Sequence, residues 1–113
     1  MPVVVNVWAS WCHPCRTEAS LIASASTARP EVRFIGLNVR DDPNAAREFM
    51  ATYLSEAQMD HYSDRSGRIP IDLGATNGVP VTFFYRPHGE LASLHFGIID
   101  EPALAIGLDE ISR

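Results

Sequence analysis

The sequence predicts an α/β domain built on a four-stranded mixed sheet with helices on both faces. Three observations predict it. The first third of the chain reads strand, helix, strand, which calls for a parallel pair joined by a right-handed crossover. The last third reads strand, tight turn, strand, helix, which adds an antiparallel hairpin. The only two cysteines, Cys12 and Cys15, stand where the first strand gives way to the first helix. That is the crevice in which open α/β sheets place their sites.

The elements follow in order. Val3-Val4-Val5-Asn6-Val7-Trp8 is a nearly continuous apolar run, the mark of a central strand buried on both faces. The first helix starts near Cys12–His13, tolerates Pro14 in its first turn, and ends near Ala28 because Arg29-Pro30 follows. Leu21, Ile22 and Ala25 form its inner stripe. Val32–Val39 is the second strand. Asp42 caps a second helix with Pro43 at its first position, and Asn44–Leu54 carries Ala46, Phe49, Met50 and Tyr53 on one face. That spacing is core packing, not a cofactor box. Residues 55–79 are the least regular stretch. Ser63-Asp64-Arg65-Ser66-Gly67 reads as a turn, and Ile69–Ala75 forms a short helix ahead of Asn77-Gly78. Val81–Tyr85 is the third strand, Pro87–Glu90 a hairpin turn, and Leu91–Phe96 the fourth strand. The final helix runs from Pro102 to about Ser112, with Leu104, Ile106, Leu108 and Ile111 as its apolar residues.

Composition bounds the function. The 113 residues make one domain, 1–113, without repeats or linkers. A net charge of −5 argues against a nucleic-acid surface, which needs clustered basic residues. Every basic residue is arginine, so lysine Schiff-base chemistry and a lysine-dependent phosphate loop are excluded. No segment approaches the ~20 apolar residues of a membrane span. Membrane attachment is therefore not encoded in these residues, and Met1-Pro2-Val3 lacks the basic start of a signal peptide.

Two cysteines cannot build a disulfide framework. At a helix N-terminus, however, the macrodipole and free backbone N–H groups favour a thiolate, so Cys12 should ionise more easily than a free thiol. Cys15 lies one turn on, on the same face. The pair can close a small disulfide or open to a dithiol, and that chemistry needs no cofactor. A zinc site needs about four ligands. His13 sits inside the motif and points elsewhere, while His61, His88 and His95 have no ligand-like spacing and read as surface or sheet residues. No metal is expected.

These residues carry a resemblance. Val5-Asn6-Val7-Trp8-Ala9-Ser10-Trp11-Cys12-His13-Pro14-Cys15-Arg16-Thr17-Glu18 resembles the thioredoxin-like superfamily, in its TlpA, ResA and DsbE branch of extracytoplasmic thiol–disulfide oxidoreductases. Gly78-Val79-Pro80-Val81-Thr82-Phe83-Phe84 is similar to that family's second signature, a cis-proline before a strand. Asp64-Arg65-Ser66-Gly67 and Gly97 match further landmarks, and the long gap from Cys15 to Pro80 fits the branch's insertion. The resemblance covers residues 3–112.

The resemblance implies a protein-disulfide oxidoreductase. Cys12 would be the exposed nucleophile and Cys15 the more buried resolving thiol. His13 would favour the Cys12 thiolate, Pro14 would stiffen the turn, and Trp11 would shield the disulfide and touch substrate. Val79 and Pro80 would pair with an extended substrate backbone. Asn6 replaces the buried aspartate of plain thioredoxins, which leaves Glu18 as the candidate acid/base at Cys15 or as a solvated helix carboxylate. Trp8 reads as core and Arg16 as solvated. Substrates would be protein thiols or disulfides, in cytochrome c maturation or extracytoplasmic disulfide formation, and a partner protein would recycle the pair. The resemblance implies a periplasmic or cell-envelope location; without a signal peptide a cytoplasmic one stays open. Direction, reductant or oxidant, depends on the relative stability of dithiol and disulfide.

The chain departs from the branch in two places. Met1 falls directly on the cysteine-bearing strand, where the family usually has a preceding hairpin region, so either the sequence starts short or the domain is a reduced one; and Ala19-Ser20 stands where a proline often follows the glutamate, which predicts a straighter helix. Without the N-terminal region, Val32–Val39 would form an apolar sheet edge that invites pairing with another chain. Two other functions compete. A copper-binding module on the same fold spaces its cysteines further apart. A peroxidase carries a Pro-x-x-x-Thr-x-x-Cys context that residues 5–12 lack.

Overall fold

The computed structural model describes residues 1–75 and 78–113; Asn77 of the Asn77-Gly78 pair lies outside them. The elements are β1 (Val3–Trp8), α1 (His13–Ala28), β2 (Arg33–Val39), α2 (Pro43–Tyr53), β3 (Met59–Asp64), α3 (Arg68–Asp72), β4 (Val81–Tyr85), β5 (Leu91–Phe96) and α4 (Glu101–Ile111). They form one mixed sheet in the order β3-β2-β1-β4-β5. β1 is central, parallel to β2 and antiparallel to β4.

The sheet has five strands, not four. The added strand is β3, which pairs parallel with β2 from Phe34↔Met59 to Val39↔Asp64. It takes Ser63 and Asp64 out of the expected turn. It also corrects the edge: β2 is covered on both sides, and the edges are β3 and β5. The predicted exposed edge at Val32–Val39 is overturned by that pairing, which removes the argument for self-association through it.

Alternation along β1 sorts the packing. Val4 faces a cluster with Ile22 of α1, Phe84 of β4, and Leu104, Leu108 and Ile111 of α4. Trp8, on the same face, stacks on Phe49 of α2 at 4.6 Å between ring centroids. Val7 points the other way, into Leu37, Val39, Val81, Phe83 and Ala75, the last just after α3. Three helices thus cover one face and the α3 segment covers the other. Asp42 and Asp100 cap α2 and α4 by accepting N–H groups of Ala45 and Ala103.

α4 approaches β4 closely because Gly107 has no side chain. A Cβ there would overlap the edge of the Phe84 ring, itself 2% exposed. Gly107→Ala gains about 1 kcal/mol of helix propensity. Overpacking a full core costs about 1–3 kcal/mol. The net expectation is a lower urea midpoint with an unchanged slope; a raised midpoint would mean that Phe84 moves aside freely.

Candidate active site

β1 ends at Trp8, and the chain turns through Ala9, Ser10 and Trp11 to Cys12. Cys12 is the N-cap of α1, with extended backbone, and its Sγ accepts the Cys15 N–H at 3.2 Å. His13 and Pro14 fill the first helical positions, where proline's missing N–H costs nothing. Cys12 and Cys15 form a disulfide across Cα atoms 5.3 Å apart. Reduced, the same N–H would lie against a Cys12 thiolate, with the N-terminal dipole adding to its stabilisation.

Exposure does not separate the two sulfurs. Cys12 is 4% exposed and Cys15 is 2% exposed, so the expected open position of Cys12 is not found in the disulfide state. Both pack into a cluster with Trp8, Ala9, Ala19, Ala46 and Phe49. What separates them is backbone position: Cys12 is outside the first turn and Cys15 is inside it. His13 is exposed and Pro14 half-buried. Trp11 is exposed, and its indole N–H donates to the Arg40 carbonyl at 2.9 Å. Arg16 is exposed, with one long contact to the Ser10 carbonyl.

The Val79–Pro80 peptide is cis. Val79 is half-buried and packs on the cluster that holds both cysteines. Pro80 is buried, and its carbonyl accepts the Gly97 N–H at 2.9 Å.

Glu18 is 2% exposed, although it belongs to the first helix of a small domain. One carboxylate oxygen accepts the Asn6 side-chain amide at 2.7 Å, and the other accepts the Ile99 N–H at 3.1 Å. Asn6 also reaches the Thr82 hydroxyl at 3.2 Å. Burial pushes the Glu18 carboxyl above the usual carboxylate range; the hydrogen bonds from Asn6 and Ile99 and the charge of His95 pull it back only in part. The sheet register explains the grouping. Asn6 pairs with Thr82, and Thr82 with His95, so three strands present polar side chains in one row beneath Glu18.

Sequence reasoning missed Thr82, His95 and the Ile99 N–H in this network. It also missed Asp41. The Asp41 carboxylate accepts the Ser10 N–H and hydroxyl, each at 2.7 Å, the Asn38 amide at 2.9 Å and the Asp42 N–H at 2.9 Å. Burial alone would raise its carboxyl; these donors outweigh it and hold it below the ordinary aspartate value. Asp41 thereby ties the end of β2 to the loop that delivers Cys12. The signal for it was only an aspartate after a strand, indistinguishable from a turn residue.

A disulfide at a helix N-cap, beside a cis X–Pro bond on a β1-centred mixed sheet, defines a thioredoxin-like redox domain. The chain belongs to the AhpC/TSA family, whose model matches residues 1–94. It is 36% identical over 100 residues to the thiol:disulfide interchange protein DsbE of Pseudomonas fluorescens biotype C, covering 88% of this chain and 54% of that protein. It is 31% identical over 96 residues to the DsbE of Escherichia coli, covering 85% of this chain and 50% of that protein. The chain thus spans about half the length of the curated relatives it matches. Among solved structures it superposes on MTB dsbF, in mixed oxidised and reduced forms, with a TM-score of 0.86 and 27% identity over 97% of this chain and 80% of that one. No helix among the described residues is long and apolar enough to cross a membrane.

Proposed function

We propose that this chain is a thiol–disulfide oxidoreductase that exchanges the Cys12–Cys15 pair with cysteines of protein substrates. The observation that carries it is the Cys12–Cys15 disulfide at the N-terminus of α1, with the Cys15 N–H on the Cys12 sulfur. In the reducing direction the Cys12 thiolate attacks a substrate disulfide, forms a mixed disulfide and expels one substrate thiolate. Cys15 then attacks the Cys12 sulfur, the internal disulfide closes, and the second substrate thiolate leaves. The oxidising direction is the reverse.

Glu18 takes the Cys15 proton as that thiol becomes the nucleophile; its burial and raised carboxyl support this role. A protonated His13 favours the Cys12 thiolate from the exposed first turn. The substrate lies extended along the Val79 backbone beside Pro80, with Trp11 against its side chains. A second protein recycles the pair. Similarity to DsbE proteins supports an extracytoplasmic setting, with thiols of cytochrome c maturation or newly formed disulfides as substrates.

Equilibration with glutathione redox buffers tests the reading. The expected result is one two-electron transition in which both thiols appear together, giving the reduction potential and hence the direction. Two separate one-thiol steps ending in glutathionylated cysteines would overturn it.

A further inference from the structure

The chain carries nine arginines in an acidic background of net charge −5. Four are ion-paired: Arg29, Arg33, Arg86 and Arg113 meet Glu31, Asp60, Glu90 and Asp109. Arg16 and Arg47 donate to the Ser10 carbonyl and the Asn44 amide oxygen. Arg40, Arg65 and Arg68 have exposed side chains with no such partner among the described residues.

These three meet at one turn. The Arg40 Cδ and Nε lie 3.0 Å from where a Cβ on Gly67 would stand. Arg65 and Arg68 flank Gly67 in the chain. The turn adjoins the reactive pair: the Arg40 guanidinium carbon sits 5.8 Å from the Trp11 ring centroid, one residue from Cys12. Arg40, Gly78 and Val79 line a single crevice.

Two features indicate that Arg40 is kept for its side chain. Its φ is +46°, a left-handed conformation that glycine or asparagine adopts more easily. No carboxylate among the described residues forms an ion pair with it. Asp41 is consumed by Ser10, Asn38 and the Asp42 N–H, Asp42 caps α2, and Asp64 is buried on Ser66 and the Ile69 N–H. Asp72, one turn after Arg68, is exposed and makes no ion pair with it. A guanidinium stacked on an indole keeps its N–H edge free for a planar carboxylate.

We propose that Arg40, supported by Arg65 and Arg68, recognises acidic side chains flanking the exchanging cysteine of a protein substrate. The assignment rests on the reading of Cys12–Cys15 as the exchange site. It gives the groove beside Val79 a contact preference for acidic side chains, carried by the unpaired guanidinium of Arg40.

The test uses three reduced peptides, each with one cysteine flanked by two Glu, two Gln or two Lys residues, reacting with the oxidised protein. Flanking Glu raises a peptide's own thiol pKa, so each rate is divided by that peptide's rate with 2-hydroxyethyl disulfide. At low salt the Glu peptide should exceed the Lys peptide by about tenfold, falling to within about twofold at 0.5 M salt. Arg40→Gly, which also relieves the left-handed backbone, should bring the ratio within about threefold, and Arg40→Lys, which keeps the charge but loses the planar fork and the stacking on Trp11, should fall between that variant and the wild type. An unchanged ratio in Arg40→Gly and in the Arg40/Arg65/Arg68→Gln triple variant would overturn the proposal. So would phosphatidylglycerol vesicles retained through Arg40 without any selectivity among peptides, which would assign the arginines to a membrane surface. A wild-type protein inert toward all three peptides and toward glutathione disulfide would remove the exchange reading itself. Exchange without charge preference removes this proposal alone.

Discussion

Cys15→Ser should accumulate mixed disulfides with substrate proteins, and Cys12→Ser should accumulate at least about tenfold fewer. Ionisation alone does not supply that ratio. The helix N-terminus favours the Cys12 thiolate and makes it more abundant near neutral pH. The weaker nucleophilicity of a more acidic thiol takes back part of that gain. The remainder must come from geometry. Cys12 caps α1 from outside its first turn, next to the exposed Trp11, while Cys15 lies inside the helix; the cluster around Trp8 and Ala19 is common to both. Both sulfurs are almost fully covered in the disulfide, so the difference must open on reduction. Non-reducing gels of each variant after acid quenching, with the adducts mapped by mass spectrometry, would measure it. Equal trapping through the two cysteines would reverse or erase the assignment of attacking and resolving thiols.

The elements that the sequence made legible are those whose own residues carry the signal. β1, β4 and β5 fall on their predicted residues because apolar runs and Gly or Pro turns bound them. α1 and α2 begin immediately after their N-caps Cys12 and Asp42, as the capping residues and prolines require. β3 was not legible. Met59-Asp60-His61-Tyr62-Ser63-Asp64 is largely polar with half of its residues exposed, as an edge strand that resists further pairing should be. Missing it made β2 an edge. The cysteine pair and the proline before β4 were readable from local motifs, but the surroundings of Glu18 were not. They depend on which residues of distant strands share a row, and on a backbone N–H at Ile99 that no side chain announces. Asp41 was hidden for the same reason: its partner Ser10 lies on another strand's exit loop.

Glu18→Gln should slow the steps that use Cys15 by about 100-fold, as expected for loss of a positioned acid/base, and should make the protein more stable above the acid range. The substitution fits the site. A glutamine oxygen can still accept the Ile99 N–H, and the Asn6 amide can turn its oxygen toward the new NH₂ while the Thr82 hydroxyl changes role from acceptor to donor. The stability effect follows from the direction of the carboxyl shift. Burial raises the folded-state pKa above the ordinary carboxyl value of 4.5, so the folded protein binds more protons than the unfolded chain between the two values. Stability is therefore greatest below 4.5 and falls as pH rises through the folded-state pKa, where a charge must be held among Asn6, Thr82 and Ile99. Glutamine removes that slope. Urea midpoints of both proteins across the pH range should converge in acid, separate between the unfolded-state and folded-state pKa values and stay apart above them, with Glu18→Gln the higher. The same variant should lower the apparent pKa of Cys15, because a negative neighbour is gone. Slower exchange together with higher stability is the pattern of a buried carboxylate kept for chemistry at a cost to the fold. Parallel midpoint curves, or an unaltered thiol titration with unaltered rates, would leave Glu18 as a packing residue and move the proton transfer elsewhere.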